Sequence, residues 1–255
     1  MDNEAPIHSL KRDGTAIAYR RSAGCGPGLV FLGGFRSDMT GIKATSLERW
    51  ARDQGRAFIR FDYQGHGASG GEWADGSIGR WRDDALAVLD QLTDGPQVLV
   101  GSSMGGWIAL LVALARPDRV AGLLGIAPAP DFTERMIRPR LGPREIEALA
   151  RDGRFIAPSA YDPEGYPITR HLLEEARDHL LLPGPIPLQS PVRLLHGQRD
   201  ADIPWRTSLE LADALAGEDV RITLVKDGDH RLSRPQDIGL MLELAGALVR
   251  TPLRA

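Results

Sequence analysis

The run Gly101-Ser102-Ser103-Met104-Gly105, placed directly after the apolar segment Gln97-Val98-Leu99-Val100, constrains this chain more than any other five residues. A G-x-S-x-G pattern between a strand and a helix makes a sharp, strained turn, and its small residues let the middle serine stand clear of the backbone. That serine is Ser103; Ser102 would have to break the register. A serine hydroxyl is a poor nucleophile until a base removes its proton and a pair of donors receives the developing oxyanion. The remainder of the chain is therefore read for those partners.

The pattern around the turn alternates strands with helices. Ile7 to Arg12 and Thr15 to Arg20 flank Asp13-Gly14, a signal for a two-residue hairpin turn. Short apolar strands are expected at 29–32, 57–61, 97–100, 123–126, 192–195 and 220–225. Helices are expected at 40–54, 77–92, 105–116, 205–216 and 236–250; in the second, Ile78, Trp81, Ala85, Val88 and Leu92 form one apolar stripe. Buried strands alternating with helices imply a mostly parallel central sheet with helices on both faces. From about 129 to 190 the rhythm breaks into proline-rich sequence with helical stretches near 143–152 and 169–181. This segment is expected to be a helical lid inserted over the carboxyl ends of the strands, where open α/β sheets bind ligands. The whole chain, 1–255, is thus expected to be one domain carrying a lid. In the second lid helix, Leu172, Leu173, Ala176 and Leu180 share a face that either packs on the core or borders an acyl groove.

Three segments supply partners for Ser103. Leu195 to Pro204 contains Asp200, Gly228-Asp229-His230 contains the candidate base, and Phe31 to Phe35 contains a pair of glycines. An acid and a histidine follow the serine, each after a strand, in the order Ser, Asp, His. His230 is expected to take the proton of Ser103, and Asp200 to hold its imidazole. Asp202 competes with Asp200, but the spacing Gly197-x-x-Asp200-x-x-Ile203-Pro204 favours Asp200, with Asp202 as an exposed loop residue or helix cap. The oxyanion donors are expected to be the backbone amides of Met104 and Phe35. Such a mechanism calls for neither cofactor nor metal. Asp62 is expected to serve structure.

These pieces, together with Asp62-Tyr63-Gln64-Gly65-His66-Gly67-Ala68-Ser69, resemble the α/β-hydrolase superfamily over essentially the whole chain. Phe35-Arg36-Ser37-Asp38-Met39-Thr40-Gly41 and Lys226 to Leu232 are similar to one branch, the palmitoyl-protein thioesterases known as α/β-hydrolase domain-containing protein ten. The resemblance implies an α/β-hydrolase fold, cleavage of esters or thioesters through an acyl-enzyme, and long-chain acyl thioesters or acyl glucuronides as substrates. It implies structural hydrogen bonds for His66 and His196. Animal members of the branch are mitochondrial.

Composition excludes other classes. Net charge is −3 without a basic block, which argues against nucleic acid. Of the 31 basic residues only Lys11, Lys43 and Lys226 are lysine, an arginine bias that reads as codon usage. In the lid, Arg135, Arg138 and Arg140 could meet a substrate carboxylate or simply be solvated. One cysteine, Cys25, allows no internal disulfide. No stretch approaches the roughly 20 apolar residues of a membrane span. Met1 to Pro6 carries two acids and no apolar run, unlike a signal peptide, so a cytoplasmic enzyme is expected. The partners expected are a small ester or thioester or an acylated protein, with oligomeric state left open. The same residues would also suit an amidase, a peptidase, a carbon–carbon hydrolase or a non-catalytic small-molecule binder.

Overall fold

The strands obey a period of two that divides the interior into two cores. Along the third strand Leu29 and Phe31 point to one face and Val30 and Leu32 to the other; in the fifth, Val98 and Val100 oppose Leu99. A strand buried on both faces needs helices on both sides, because each face carries apolar area that water would otherwise contact. The computed structural model describes residues 6–158 and 163–251. The leader reading on Met1 to Ala5 therefore lies outside the described residues.

Eight strands make the main sheet: β1 (His8–Arg12), β2 (Thr15–Ser22), β3 (Cys25–Leu32), β4 (Arg56–Phe61), β5 (Gln97–Ser102), β6 (Val120–Ile126), β9 (Val192–Gly197) and β10 (Val220–Val225). Their order is β1-β2-β4-β3-β5-β6-β9-β10. β1 and β2 are antiparallel to their neighbours, and all other pairs are parallel. The β1–β2 hairpin turns at Asp13 and Gly14 with φ of 47° and 85°, the left-handed pair that an Asp-Gly turn supplies.

Helices α1 (Ile42–Asp53) and α7 (Pro235–Arg250) cover one face. On the other lie α2 (Ile78–Leu92), α3 (Met104–Ala115) and α6 (Arg206–Ala214). Ser77 caps α2 by accepting the Arg80 amide at 3.3 Å, and the expected stripe is buried at Ile78, Trp81, Ala85 and Val88. Helix α3 is apolar all round and central, its residues buried from Met104 to Ala113. The buried Arg60 side chain donates to Glu48 on α1 at 2.6 Å and to the Met39 carbonyl at 2.5 Å, tying the sheet to the loop after β3.

Between β6 and β9 the chain builds a cap. It contains α4 (Pro143–Asp152), a two-stranded antiparallel sheet of β7 (Arg154–Ala157) and β8 (Tyr166–Thr169), and α5 (Arg170–Glu175). Two expectations change here. The hairpin falls between the two expected helices, in proline-rich sequence where no strand was expected, and the helix expected over 169–181 stops at Glu175, continuing as a single tight turn to His179. The cause is competition for backbone groups. Trp107 Nε1 donates to the His179 carbonyl at 3.0 Å, while Asp131 accepts the amides of Leu181 and Leu182 at 2.9 and 2.8 Å. Glu175 receives the Gly79 amide of α2 at 2.9 Å, and Trp73 Nε1 donates to the Pro167 carbonyl at 2.9 Å. The contacts from Trp73, Gly79 and Trp107 fasten the second half of the cap to α2, α3 and the segment before α2, and Asp131 ties the start of the cap to its end.

Candidate active site

Strand β5 runs straight into α3, and the turn between them leaves little room. A Cβ on Gly105 would lie 2.1 Å from the Leu32 carbonyl oxygen, and one on Gly101 would lie 2.3 Å from the Gly105 carbonyl oxygen. Only glycine lets the start of α3 sit directly on the ends of β3 and β5. Ser103 between them has φ 54° and ψ −119°, a left-handed backbone held by its amide donating to Ile126 at 2.9 Å and its carbonyl accepting from Ala129 at 3.1 Å. Its hydroxyl therefore stands free of the sheet edge.

The loops after β9 and β10 carry the other two groups. They can run side by side because neither Gly197 nor Gly228 has a side chain: a Cβ on Gly197 would meet the Gly228 carbonyl oxygen at 2.3 Å. His230 Nε2 lies 3.1 Å from Ser103 Oγ, and His230 Nδ1 lies 2.7 Å from Asp200 Oδ2. Asp200 is an acceptor, so Nδ1 carries the proton and Nε2 offers its lone pair to the serine hydroxyl. The structure thus brings Ser103, Asp200 and His230 together.

Asp200 itself is fixed on every side. Oδ1 accepts the amides of Asp202 and Ile203 at 2.9 and 2.8 Å, and Oδ2 also accepts from His196 Nε2 at 3.1 Å. His196 Nδ1 in turn meets Ser208 Oγ at 2.7 Å, which gives that buried histidine the structural bond implied for it. Burial alone would raise the Asp200 pKa, but hydrogen bonds from His196 and His230, the charge of His230 and the Ile203 amide hold it well below the usual carboxylate range. Asp62 is likewise structural: Oδ1 accepts the Met39 amide at 2.6 Å and Oδ2 the Ala68 amide at 2.8 Å. Among the described residues, Asp200, Asp202 and His230 are the one group whose donors lie close enough to share a metal ion. The donor set suits one poorly, because Asp200 and His230 are already bonded to each other.

The expected oxyanion donors flank Ser103. Met104 opens α3, where first-turn amides have no partner within the helix. Phe35 sits in the turn Gly34–Ser37, closed by the Ser37 amide on the Gly34 carbonyl at 3.1 Å. That turn abuts the serine, since a Cβ on Gly34 would lie 3.4 Å from Ser103 Cβ.

These groups open into a cavity of about 650 Å³, within the roughly 300–1,000 Å³ of small-molecule sites. Its apolar wall comes from Phe35 and from the cap residues Phe132, Ile137, Ala157, Tyr166 and Ile168. None of Leu172, Leu173, Ala176 or Leu180 lines it; the first three are buried in the core. The groove wall is instead the β7–β8 hairpin, signalled in sequence only by the β-forming pairs Phe155-Ile156 and Tyr166-x-Ile168 between Gly153 and Gly165.

Of the lid arginines only Arg140 reaches the cavity. Arg135 pairs with Glu210, and Arg138 with Glu134 and the Leu173 carbonyl. Arg36, Lys43 and Arg231 join Arg140 in the lining, along with Asp38 and Asp202, none of which was expected there. Asp202 is half-buried rather than an exposed loop residue. Lys43 Nζ donates to the Arg231 carbonyl at 2.5 Å, and burial followed by the charge of Arg231 lowers its pKa to about 8, against Asp229 and Asp237.

Comparison with known proteins agrees with this architecture. The family described as Serine aminopeptidase, S33 matches residues 29–161. The palmitoyl-protein thioesterase ABHD10, mitochondrial, of Mus musculus is 45% identical over 229 residues, which is 89% of this chain and 76% of the mouse protein. A solved structure of mouse α/β hydrolase domain-containing protein 10 superposes with a TM-score of 0.89 at 42% identity, covering 96% of this chain and 98% of that one. A putative hydrolase from Agrobacterium vitis S4 gives a TM-score of 0.91 at 44% identity, covering 96% and 100%. One expectation falls. The curated relatives from mouse, rat, cattle, orangutan and human are all named mitochondrial, which overturns the cytoplasmic location expected from the first residues. A cellular address is read from a targeting segment rather than from the packing of a folded domain, so neither composition nor core constrains it.

Proposed function

The chain belongs to the α/β-hydrolase superfamily and to its ABHD10 branch of palmitoyl-protein thioesterases, and from that premise we propose that Ser103, His230 and Asp200 are the catalytic residues of this ester and thioester hydrolase. The observation that carries the assignment is the unbroken relay from Ser103 Oγ to His230 at 3.1 Å and from His230 to Asp200 at 2.7 Å, at the floor of a cavity with one apolar wall.

Ser103 Oγ attacks the acyl carbonyl while His230 Nε2 takes its proton. Asp200 keeps the imidazole in the Nδ1–H tautomer and stabilises the imidazolium. The tetrahedral oxyanion accepts hydrogen bonds from the amides of Met104 and Phe35. His230 returns the proton to the leaving group, a water enters, and the same histidine activates it to release the acid. The acyl chain lies along Phe132, Ile137, Tyr166 and Ile168, where burying each methylene contributes about 0.8 kcal/mol. Long acyl groups are therefore the substrate class. The cap formed from residues of the 129–190 segment acts as the lid of a single domain.

A second reading concerns the leaving group. Arg36, Lys43, Arg140 and Arg231 face the cavity against Asp38 and Asp202, a local cationic excess in a chain of net charge −3. That balance favours a leaving group bearing an anion, such as the carboxylate of an acyl glucuronide.

The test is a substrate panel: acetyl to palmitoyl thioesters, an acyl glucuronide and an aminoacyl amide, each with the native protein and Ser103→Ala. Turnover that rises with chain length and is lost in Ser103→Ala, together with loss of fluorophosphonate labelling, supports the assignment. Retained turnover in Ser103→Ala overturns it. Preference for the aminoacyl amide would move the substrate toward that of an aminopeptidase.

A further inference from the structure

The mechanism leaves one buried histidine near the reacting centre without a role. His66 is 4% exposed and lies edge-on to Trp73, Trp81 and Tyr63, with ring centroids 4.8, 5.2 and 5.6 Å away. Its two nitrogens have unequal partners. Nδ1 is 3.2 Å from the Gln64 carbonyl, which can only accept, so Nδ1 carries the hydrogen. Nε2 is then a lone pair, and the amide of Arg36 donates to it at 3.3 Å.

Arg36 is no ordinary partner. It has φ 60°, a left-handed conformation that side chains disfavour, and it is the third residue of the Gly34–Ser37 turn. A positive φ at this position belongs to one of the two orientations available to the peptide between Phe35 and Arg36; the other orientation returns φ to negative values. With Arg36 rather than glycine here, the backbone alone favours the wrong orientation. An acceptor waiting on the correct side offsets that preference. The turn it holds carries Phe35 and packs Gly34 against Ser103.

We propose that His66 is a positioning residue for the oxyanion hole: its Nε2 captures the Arg36 amide and so fixes the turn that presents the Phe35 amide to the acyl carbonyl. This rests on Ser103 being the nucleophile. The groups facing the ring are Arg36, whose guanidinium lies 5.0 Å from the Trp73 ring, and the Gln64 carbonyl. Burial, opposed by the Gln64 bond and reinforced by the Arg36 charge, lowers the His66 pKa to about 4, so the acceptor persists at working pH.

The experiment compares His66→Phe, His66→Gln and Ser103→Ala with one chromogenic thioester, with thermal unfolding recorded for each. Phenylalanine keeps the aromatic contacts and removes the acceptor, whereas glutamine Oε1 reaches the place of Nε2. Displacing a donor rather than deleting it is expected to lower kcat by about 10–10²-fold in His66→Phe with KM within about twofold, and His66→Gln is expected to stay within about threefold of the native kcat. A native kcat in His66→Phe, or equal losses in both His66 variants, overturns the proposal. Should His66→Phe fail to fold, nitrogen-15 NMR of the native protein decides: an Nδ1–H tautomer at His66 supports the assignment and an Nε2–H tautomer overturns it. Retained turnover in Ser103→Ala would instead remove the nucleophile assignment, which separates the two failures.

Discussion

His230 Nδ1 lies 2.7 Å from Asp200 Oδ2, and that same oxygen accepts from His196 Nε2 at 3.1 Å, so a single carboxylate oxygen serves two imidazoles. The other oxygen is held by the amides of Asp202 and Ile203. Asp200→Asn keeps the shape, loses the charge and turns one of its two acceptor oxygens into a donor. It is expected to reduce kcat by about 10⁴-fold, the size of loss seen when a triad acid becomes an amide. Asp202→Asn is expected to stay within about tenfold, near 1.4 kcal/mol in the barrier. Equal losses in steady-state assays of the two variants would overturn the choice of Asp200 as the triad acid.

The two ends of the cap are joined by Asp131, which is 2% exposed and accepts the amides of Leu181 and Leu182. Asp131→Ala leaves two amides without their acceptor, at a cost of about 1–3 kcal/mol. Hydrogen exchange at Leu181 and Leu182 is expected to accelerate while that of β5 is unchanged. Unaltered exchange at those two amides would show that the cap is held elsewhere.

Depth of the acyl site is set in part by Ala157 at the end of β7, which lines the cavity. Ala157→Phe adds a ring to the wall. Turnover of palmitoyl thioesters is expected to fall about 4–15-fold relative to acetyl thioesters, as one to two methylenes lose their burial. A uniform effect across chain lengths would place the acyl chain along another wall.

Burial and the neighbouring Arg231 charge lower the Lys43 pKa from 10.5 to about 8. Between those values the unfolded chain holds a proton that the folded chain has released, so stability rises with pH across that window. The penalty is complete below about pH 8 and gone above about pH 10.5. Denaturant midpoints of the native protein, referred to Lys43→Met, are expected to increase from pH 8 to pH 10. A flat difference would show that the ammonium is solvated.

Gly105→Ala tests the seating of the elbow. With a Cβ 2.1 Å from the Leu32 carbonyl oxygen, backbone has to move, and a loss of about 3 kcal/mol or more in unfolding free energy is expected.

Much of this site is legible in sequence because its parts are local. The elbow at Gly101–Gly105 follows from five residues, and strand–helix alternation places Ser103, Asp200 and His230 at one sheet edge. The cap is less legible. Leu172, Leu173 and Ala176 share a helical face that suits core packing first and a groove second, and periodicity reports only that a face is apolar. The hairpin of β7 and β8 leaves only a weak signal in sequence because its strands are four residues each and depend on each other and on the core beneath.

What the sequence determined by itself is the order of the chemistry: a strained serine turn, an acid and a histidine, each at a strand end, inside a doubly covered sheet. Local steric demands and the period of apolar residues carry that much. Tertiary structure set Asp200 2.7 Å from His230, moved Arg135 and Arg138 away from the cavity and brought Arg36, Lys43 and Arg231 into it. It also turned His66 from a motif residue into the acceptor behind the Gly34–Ser37 turn. Each of these depends on segments far apart in the chain meeting at a separation of a few ångströms, and no local pattern encodes which of two neighbouring side chains will be the one that meets.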